Sequence, residues 1–184
     1  DHLVNIGPAA AKESYLNIDK VIAAALKTDC CAIHPGYGFL AENAVFAERC
    51  EAEGITFIGP SSASILAMGD KARARDLAEK AGLPVVPGRN DVEAHQLEEA
   101  AKQVGRPLLL KPSAGGGGKG MVIVHEGEDV VAAAVAARRV ALAAFGDDRL
   151  IVERFVHPAR HVEIQVFADT RGNAVALGER ECSL

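Results

Sequence analysis

Apolar residues at Ile18, Val21, Ile22, Ala25 and Leu26 recur at helical spacing, and Asn17 stands where such a helix is capped. Ile18 to about Lys27 is therefore predicted to be a helix with one buried face. The short apolar run Cys30 to Ile33 reads as a buried strand and ends in the loop His34-Pro35-Gly36-Tyr37-Gly38-Phe39. A second helix is expected from about Glu42 to Glu53, stopped by Gly54, followed by a strand from Ile55 to Ile58 and the closing pair Gly59-Pro60. Strand, helix and strand with short connections form a βαβ unit, which implies a parallel sheet. Ser61 and Ser62 open a helix through Met68, and Lys71 to Ala81 forms another, ended by Gly82. The prolines of Leu83 to Gly88 restrict that stretch to a linker or an edge strand.

Beyond that linker the pattern changes. Val92 to Val104 is predicted to be helical, with Gly105 as its stop. Leu108 to Lys111 reads as a strand, Gly115 to Gly120 as a loop, and Met121 to Val124 as a second strand. Asp129 to about Ala144 is a long Ala/Val helix ended by Gly146, and Arg149 to Val156 returns as a strand. The order describes a compact α+β unit. In His161 to Val166 apolar and polar residues alternate, so Val162, Ile164 and Val166 share one face. A turn at Asp169 to Asn173 leads into a returning strand, Ala174 to Gly178.

Composition narrows the setting. Of 184 residues, 49% are hydrophobic but only 4% aromatic, which suits small side chains packed between helices and sheets better than an aromatic-rich sandwich. A formal net charge of -5 argues against a broad nucleic-acid-binding surface. No apolar run reaches membrane-spanning length. The four cysteines, Cys30, Cys31, Cys50 and Cys182, form no C-x-x-C pair, and core packing of Cys30 and Cys31 is expected rather than a disulfide framework. These features point to a soluble intracellular protein. Asp1 at the start and Glu181-Cys182-Ser183-Leu184 at the end both read as mid-pattern, so a truncated chain is expected.

The run Gly115-Gly116-Gly117-Gly118-Lys119-Gly120 carries the most distinctive chemistry. Glycine lets backbone N–H groups approach phosphate oxygens, and Lys119 adds positive charge. A Walker A loop is excluded because Gly120 follows Lys119 where a Mg2+-binding hydroxyl belongs. Gly115, Gly117 and Gly120 satisfy G-x-G-x-x-G, yet a strand follows instead of the helix a dinucleotide needs. A strand–loop–strand flap over phosphates is the preferred reading, against a ligand-free flexible turn. Lys111 ends the strand that enters the loop, placing it either on a phosphate or at the surface with its stem on apolar neighbours.

His34-Pro35-Gly36-Tyr37-Gly38-Phe39-Leu40-Ala41-Glu42-Asn43, Phe57-Ile58-Gly59-Pro60 and Met68-Gly69-Asp70-Lys71 resemble successive signatures of biotin carboxylases. Lys111-Pro112-Ser113, Arg160-His161-Val162-Glu163-Ile164-Gln165 and Gly178-Glu179-Arg180-Glu181-Cys182-Ser183 continue that resemblance in the same order over essentially the whole chain. It is closest in pattern to the biotin carboxylase part of acyl-CoA carboxylase alpha subunits. Ala114, where many members have glycine, and Ala41, often serine and a potential helix cap, depart from it.

The resemblance implies an α/β fold: a Rossmann-like (pre-ATP-grasp) N-terminal part, an α+β ATP-grasp flap domain and the start of the C-terminal ATP-grasp domain. The corresponding boundaries are 1–66, linking helices over 67–82, 83–155 and 156–184. It implies an ATP-dependent carbon–nitrogen ligase that uses Mg-ATP (or Mn-ATP) and bicarbonate to carboxylate biotin on a carrier protein. Lys71 and Lys111 would contact the phosphates, with Gly115, Gly116, Gly117, Gly118, Lys119, Gly120 and Met121 around them. Glu153, with backbone groups of Arg154 and Val156, would read the adenine edge, and His161 would lie near the nucleotide. Tyr37 and Gly38 would border biotin. Read by itself, Glu153 equally suits an ion pair with Arg154 or Arg160, while His161 and Glu163 suit the polar face of a strand.

Neither a complete catalytic set nor a metal-ligand set is expected within the sequence, so these residues alone are expected not to turn over ATP with bicarbonate. Implied partners are a biotin carboxyl carrier domain and a carboxyltransferase subunit, in a homo-oligomeric parent. The implied location is the cytoplasm, or the mitochondrial matrix in a eukaryote. Three other readings remain open at this point: a carbamoyl-phosphate synthetase-like ligase or purine-pathway carboxylase, a non-catalytic nucleotide-binding module and, weakest, a dinucleotide oxidoreductase.

Overall fold

The computed structural model describes residues 2–116 and 118–183. Its first unit opens with helix α1 (Ile18–Lys27), whose first-turn N–H of Lys20 is accepted by the Asn17 side chain at 3.1 Å. Strands β1 (Ala32–Ile33) and β2 (Thr56–Phe57) pair in parallel, and helix α2 (Ala44–Ala52) crosses between them, as the βαβ pattern requires. Ile22, Ala25, Leu40, Phe46, Cys50 and Ile55 form the core under this crossover, where Phe46 meets Phe57 edge to face at 5.9 Å.

Two expectations here need correction. Cys30 and Cys31 are exposed and Cys50 is the buried thiol, because the strand begins only at Ala32 after Asp29 turns the chain with a positive φ of 51°. The second helix starts at Ala44 instead of Glu42. Phe39–Glu42 is a 3-10 turn, and extended Asn43 supplies the cap by accepting the Phe46 N–H at 3.0 Å. Ala41, expected to lack a helix cap, lies inside the 3-10 turn and not at the cap position.

Helices α3 (Ser62–Gly69) and α4 (Lys71–Lys80) follow, capped by the Ser61 and Asp70 side chains. Strand β3 (Gly88–Arg89) then takes the sheet edge, outside the prolines at 84 and 87. The helix predicted over 92–104 is shorter: Val92 is buried before it, Glu93 and Gln96 form a reciprocal capping box around a 3-10 turn, and α5 covers Leu97–Val104.

The middle unit is an antiparallel sheet in the order β3-β6-β4-β5, with β4 at Leu108–Pro112, β5 at Val122–Val124 and β6 at Leu150–Arg154. Helix α6 (Val130–Phe145) begins at Asp129, which accepts N–H bonds from Val131 and Ala132, and ends at left-handed Gly146. Strand alternation then divides the sheet. Leu108, Leu110, Val124, Leu150 and Val152 face the helices and are fully buried with Ala100, Val104, Ala134 and Ala137. Leu109, Lys111, Ile151 and Glu153 occupy the alternate positions, toward α4.

The last unit is a hairpin of β7 (Val162–Ala168) and β8 (Ala174–Glu181). The returning strand was expected to stop at Gly178, but it continues to Glu181. A register shift opposite Ile164 and Val166 is absorbed at Gly178, whose φ of 109° admits a bulge in place of a stop.

Candidate functional site

The alternate face of the middle sheet gathers charge. Lys111 Nζ lies 2.5 Å from Glu153 Oε2, a diagonal neighbour across the β4–β6 ladder. Arg75, from α4, reaches the other carboxylate oxygen of Glu153 at 3.7 Å and also pairs with Glu79 at 2.8 Å. Glu153 is 8% exposed, and two cations compensate the burial of its charge. Gly88 makes this possible: a Cβ there would stand 2.7 Å from the Glu153 Cγ and from the Val152 carbonyl oxygen.

Lys71 opens α4 one residue after the cap, and its ammonium donates to the carbonyls of Gly115 and, at 3.4 Å, Ala114. Burial first, and then the neighbouring Lys111 charge, lower its pKa despite the opposing pull of Asp70. A lysine with a depressed pKa beside a second lysine is a site short of negative charge. Phosphate oxygens would answer that shortage.

A clamp sets the position of Lys71. Asp70 caps α4 through the Arg73 N–H at 2.9 Å, accepts from the Ser113 hydroxyl at 3.1 Å, and meets Arg149 at 2.7 Å. The Lys71 N–H donates to the Ser113 carbonyl at 3.1 Å, and Arg149 also grips Asp147 at 2.7 Å. Burial pushes the Asp70 carboxyl up, but bonds from Arg73, Arg149 and Ser113 outweigh it and hold the carboxyl below its usual range. The clamp ties the start of α4 to the ends of β4 and β6, where the glycine loop begins.

Within the loop, Gly115, Gly118 and Gly120 all have positive φ, and the Met121 N–H closes a turn on the Gly118 carbonyl at 3.3 Å. A Cβ at Gly115 would overlap the Phe145 ring, so this glycine is required by packing as well as by conformation. Gly116 and Lys119 are exposed, and Met121 is partly so; Gly117 lies outside the described residues. Strand β5 follows directly, which agrees with the flap reading and excludes the strand–loop–helix of a dinucleotide site.

Not every predicted site residue joins this group. The Arg154 side chain turns toward α5, donating from Nε to the Val104 carbonyl at 3.2 Å, and its N–H is held by the Pro87 carbonyl at 2.9 Å. Val156 is half exposed beyond the strand end. His161 lies on the hairpin beside Glu163 at 3.5 Å. Tyr37 is almost wholly exposed in the first unit, next to Gly38 with a φ of 64°. Among the described residues no ion pair or hydrogen bond links Val156, His161, Tyr37 or Gly38 to Lys71, Lys111 or Glu153.

Sequence reading missed Arg75, Asp70, Ser113 and Arg149 as parts of the site. Arg75 follows Lys71 by four residues on one helix, a same-face spacing that was available. Asp70 before Lys71 is likewise a visible cap signal. The meeting of Arg149 with Asp70, 79 residues apart in the chain, has no local signature.

Comparisons with known proteins agree in order and extent. Residues 1–65 match the family model "Biotin carboxylase, N-terminal domain", and residues 70–184 match "Carbamoyl-phosphate synthase L chain, ATP binding domain". The chain is 53% identical over 182 residues to a mitochondrial methylcrotonoyl-CoA carboxylase subunit alpha of Dictyostelium discoideum, covering 97% of this chain and 26% of that protein. It is 48% identical over 187 residues to a biotin carboxylase of Pseudomonas aeruginosa, covering 100% of this chain and 42% of that one. Among solved structures, a biotin carboxylase–βγ-ATP complex from Campylobacter jejuni superposes with a TM-score of 0.90 at 44% identity, over 96% of this chain and 40% of that one. The biotin carboxylase domain of Hydrogenobacter thermophilus 2-oxoglutarate carboxylase, in complex with MgADP, ADP and bicarbonate, gives 0.88 at 43% identity, over 99% and 40%. The chain thus spans less than half the length of these relatives.

Proposed function

Since the chain belongs to the biotin carboxylase family of ATP-grasp proteins, we propose that it forms the nucleotide-holding part of a biotin-dependent carboxylase. The observation that carries this reading is the convergence of Lys71, Lys111 and Glu153 at the mouth of the glycine loop. Lys71 and Lys111 hold the phosphate end, and the turn Gly118–Gly120 with Lys119 covers it. Glu153, two residues beyond Ile151, which is the register partner of Lys111, accepts from the exocyclic amine of the base. Arg154 and Val156 offer backbone groups there, Arg154 through its carbonyl because its N–H is taken. Met121 and His161 complete the nucleotide wall, and Tyr37 with Gly38 borders biotin. The division at about residues 66, 82 and 155 separates the Rossmann-like part, linking helices, flap and start of the large domain.

ATP supplies the phosphoryl group that activates bicarbonate, and biotin on a carrier protein receives the carboxyl group. The carrier domain and a carboxyltransferase subunit are the proposed partners, in a homo-oligomeric protein of the cytoplasm or mitochondrial matrix. Among the described residues the carboxylates nearest the loop, Asp70, Asp147 and Glu153, are all paired with Arg149, Arg75 or Lys111. They are a poor set for Mg2+, which favours carboxylates free to coordinate it alongside water and substrate phosphates.

The test is bicarbonate-dependent ATP cleavage by the protein expressed from its natural reading frame, with and without free biotin. Stimulation by biotin, lost on Lys111→Ala, is the expected result. Bicarbonate-dependent cleavage indifferent to biotin would move the function to another ATP-grasp ligase. Nucleotide binding without any cleavage would leave a binding module.

A further inference from the structure

The hairpin carries a second constellation, distinct from the lysine cluster. In the β7–β8 ladder Val162 is paired with Glu181 and Glu163 with Arg180. The Cys182 N–H donates to the His161 carbonyl at 2.7 Å, and the His161 N–H donates to the Ser183 hydroxyl at 2.8 Å. The ladder therefore sets Cys182 across from His161, with Glu163 two residues along on the same face. One ligand atom from each of His161, Glu163 and Cys182 lies within 4.8 Å of the others.

We propose that the His161/Glu163/Cys182 face binds a thiophilic divalent cation, with Zn2+ the best chemical fit. Imidazole nitrogen, thiolate sulfur and carboxylate oxygen are the donors zinc takes in proteins. Tetrahedral bonds of about 2.0–2.3 Å set donor atoms roughly 3.3–3.8 Å apart. The face must therefore contract by about 1.5 Å at most, which side-chain rotation at a solvent-open site allows. Water takes the fourth position. On binding, the Cys182 S–H bond breaks, the proton passes to solvent and sulfur bonds the metal, with no change of oxidation state. Glu163 offers Oε1, which faces His161 at 3.5 Å, while its Oε2 is held by Arg180. Arg180 is thus a competitor for the carboxylate and a repulsive charge beside the metal.

His161 is shared with the proposed nucleotide wall, so the site is tested without nucleotide, where its failure and that of the nucleotide reading are read separately. Co2+ serves as the spectroscopic probe and Zn2+ as its displacer, titrated into the reduced chain. The expected result is one Co2+ per chain with a thiolate-to-metal absorption band that Zn2+ abolishes. Cys182→Ser should remove the band, and Glu163→Gln should weaken binding by more than about 10-fold, the lower end of what losing even an outer partner costs. Arg180→Gln should tighten binding. The exposed pair Cys30 and Cys31 is the necessary control. A band that survives Cys182→Ser but is lost in the Cys30→Ser/Cys31→Ser double variant would overturn the assignment, as would no band at all.

Discussion

Two antiparallel sheets carry Lys111, Glu153 and His161 at or beside their strands, and they are stabilised in different ways. In the sheet of β3 to β6, alternate side chains pack under α5 and α6, so Leu108, Leu110 and Val152 are completely buried. In the β7–β8 hairpin, Val162, Ile164, Val166, Phe167, Val175 and Leu177 are all 41–69% exposed, and no helix covers either face among the described residues. Burial alternates along β4, and apolar and polar residues alternate over Val162–Val166 of the hairpin. Alternation dictates which residues share a face, but only a second layer turns a shared face into a core. The lysine cluster therefore stands on a braced platform, whereas His161 stands on a ribbon held by its own ladder.

The sharpest way to break this comparison is to remove a platform residue. Leu110→Ala should cost about 2–5 kcal/mol, as burial and a trapped cavity predict, and should disorder the face that carries Lys111. Denaturant unfolding measures it. A loss below about 1 kcal/mol would mean that the sheet is not the stable part of the chain.

The glycine loop is fixed to this platform, and Gly115→Ala tests how firmly. The added methyl overlaps Phe145 and forces a non-glycine residue to a φ of 79°. The expected loss is about 1–3 kcal/mol. Combining it with Phe145→Leu should return part of that loss, since the ring is removed and the backbone strain remains. Equal losses in the single and double variants would show that backbone conformation alone accounts for the effect.

What could be read from sequence follows the same division. The βαβ crossover, the α5–β4 and α6–β6 units and the strand after the glycine loop come from periodicity and caps, which are local. The start of α2 was misplaced because Asn43, not the residues around Ala41, holds the capping geometry. Cys30 and Cys31 resemble a buried strand in composition, yet the positive φ at Asp29 keeps them at the surface. Beside its adenine contact, the sequence offered Glu153 an ion pair only with Arg154 or Arg160, its neighbours in sequence. The ladder instead turns Arg154 to the opposite face and brings Lys111, with Arg75 from α4. Partners chosen by register or by helix packing leave no local mark.

Acid should loosen the clamp before it loosens the core. Asp70 and Asp147 both have carboxyls held below their usual range, Asp147 chiefly by its hydrogen bonds from Arg149. A depressed carboxylate adds stability that is complete above the unfolded value, near pH 4, and is lost as pH falls through the lower folded value. Arg149 stays charged throughout that window. Stability should therefore decline below about pH 4, and Asp70→Asn should flatten the decline while lowering stability at neutral pH. Both carboxylates remain about a quarter exposed (25% and 26%), so added salt should shrink the difference. An unchanged acid slope in Asp70→Asn would remove the clamp as the link between α4 and the loop.

The smallest expected effect lies on the ribbon. Ile164 is 53% exposed and faces no second layer, so Ile164→Ala in the 184-residue chain should cost no more than about 1 kcal/mol, the span of strand propensity. The Co2+ band at Cys182 should survive it, because the backbone bonds between His161 and Cys182 hold the register without that side chain. Measured in the protein expressed from its natural reading frame, the same substitution becomes a probe of contact. A cost of about 2 kcal/mol or more there would show that another element lies over this face, completing for the ribbon the second layer that α5 and α6 give the platform.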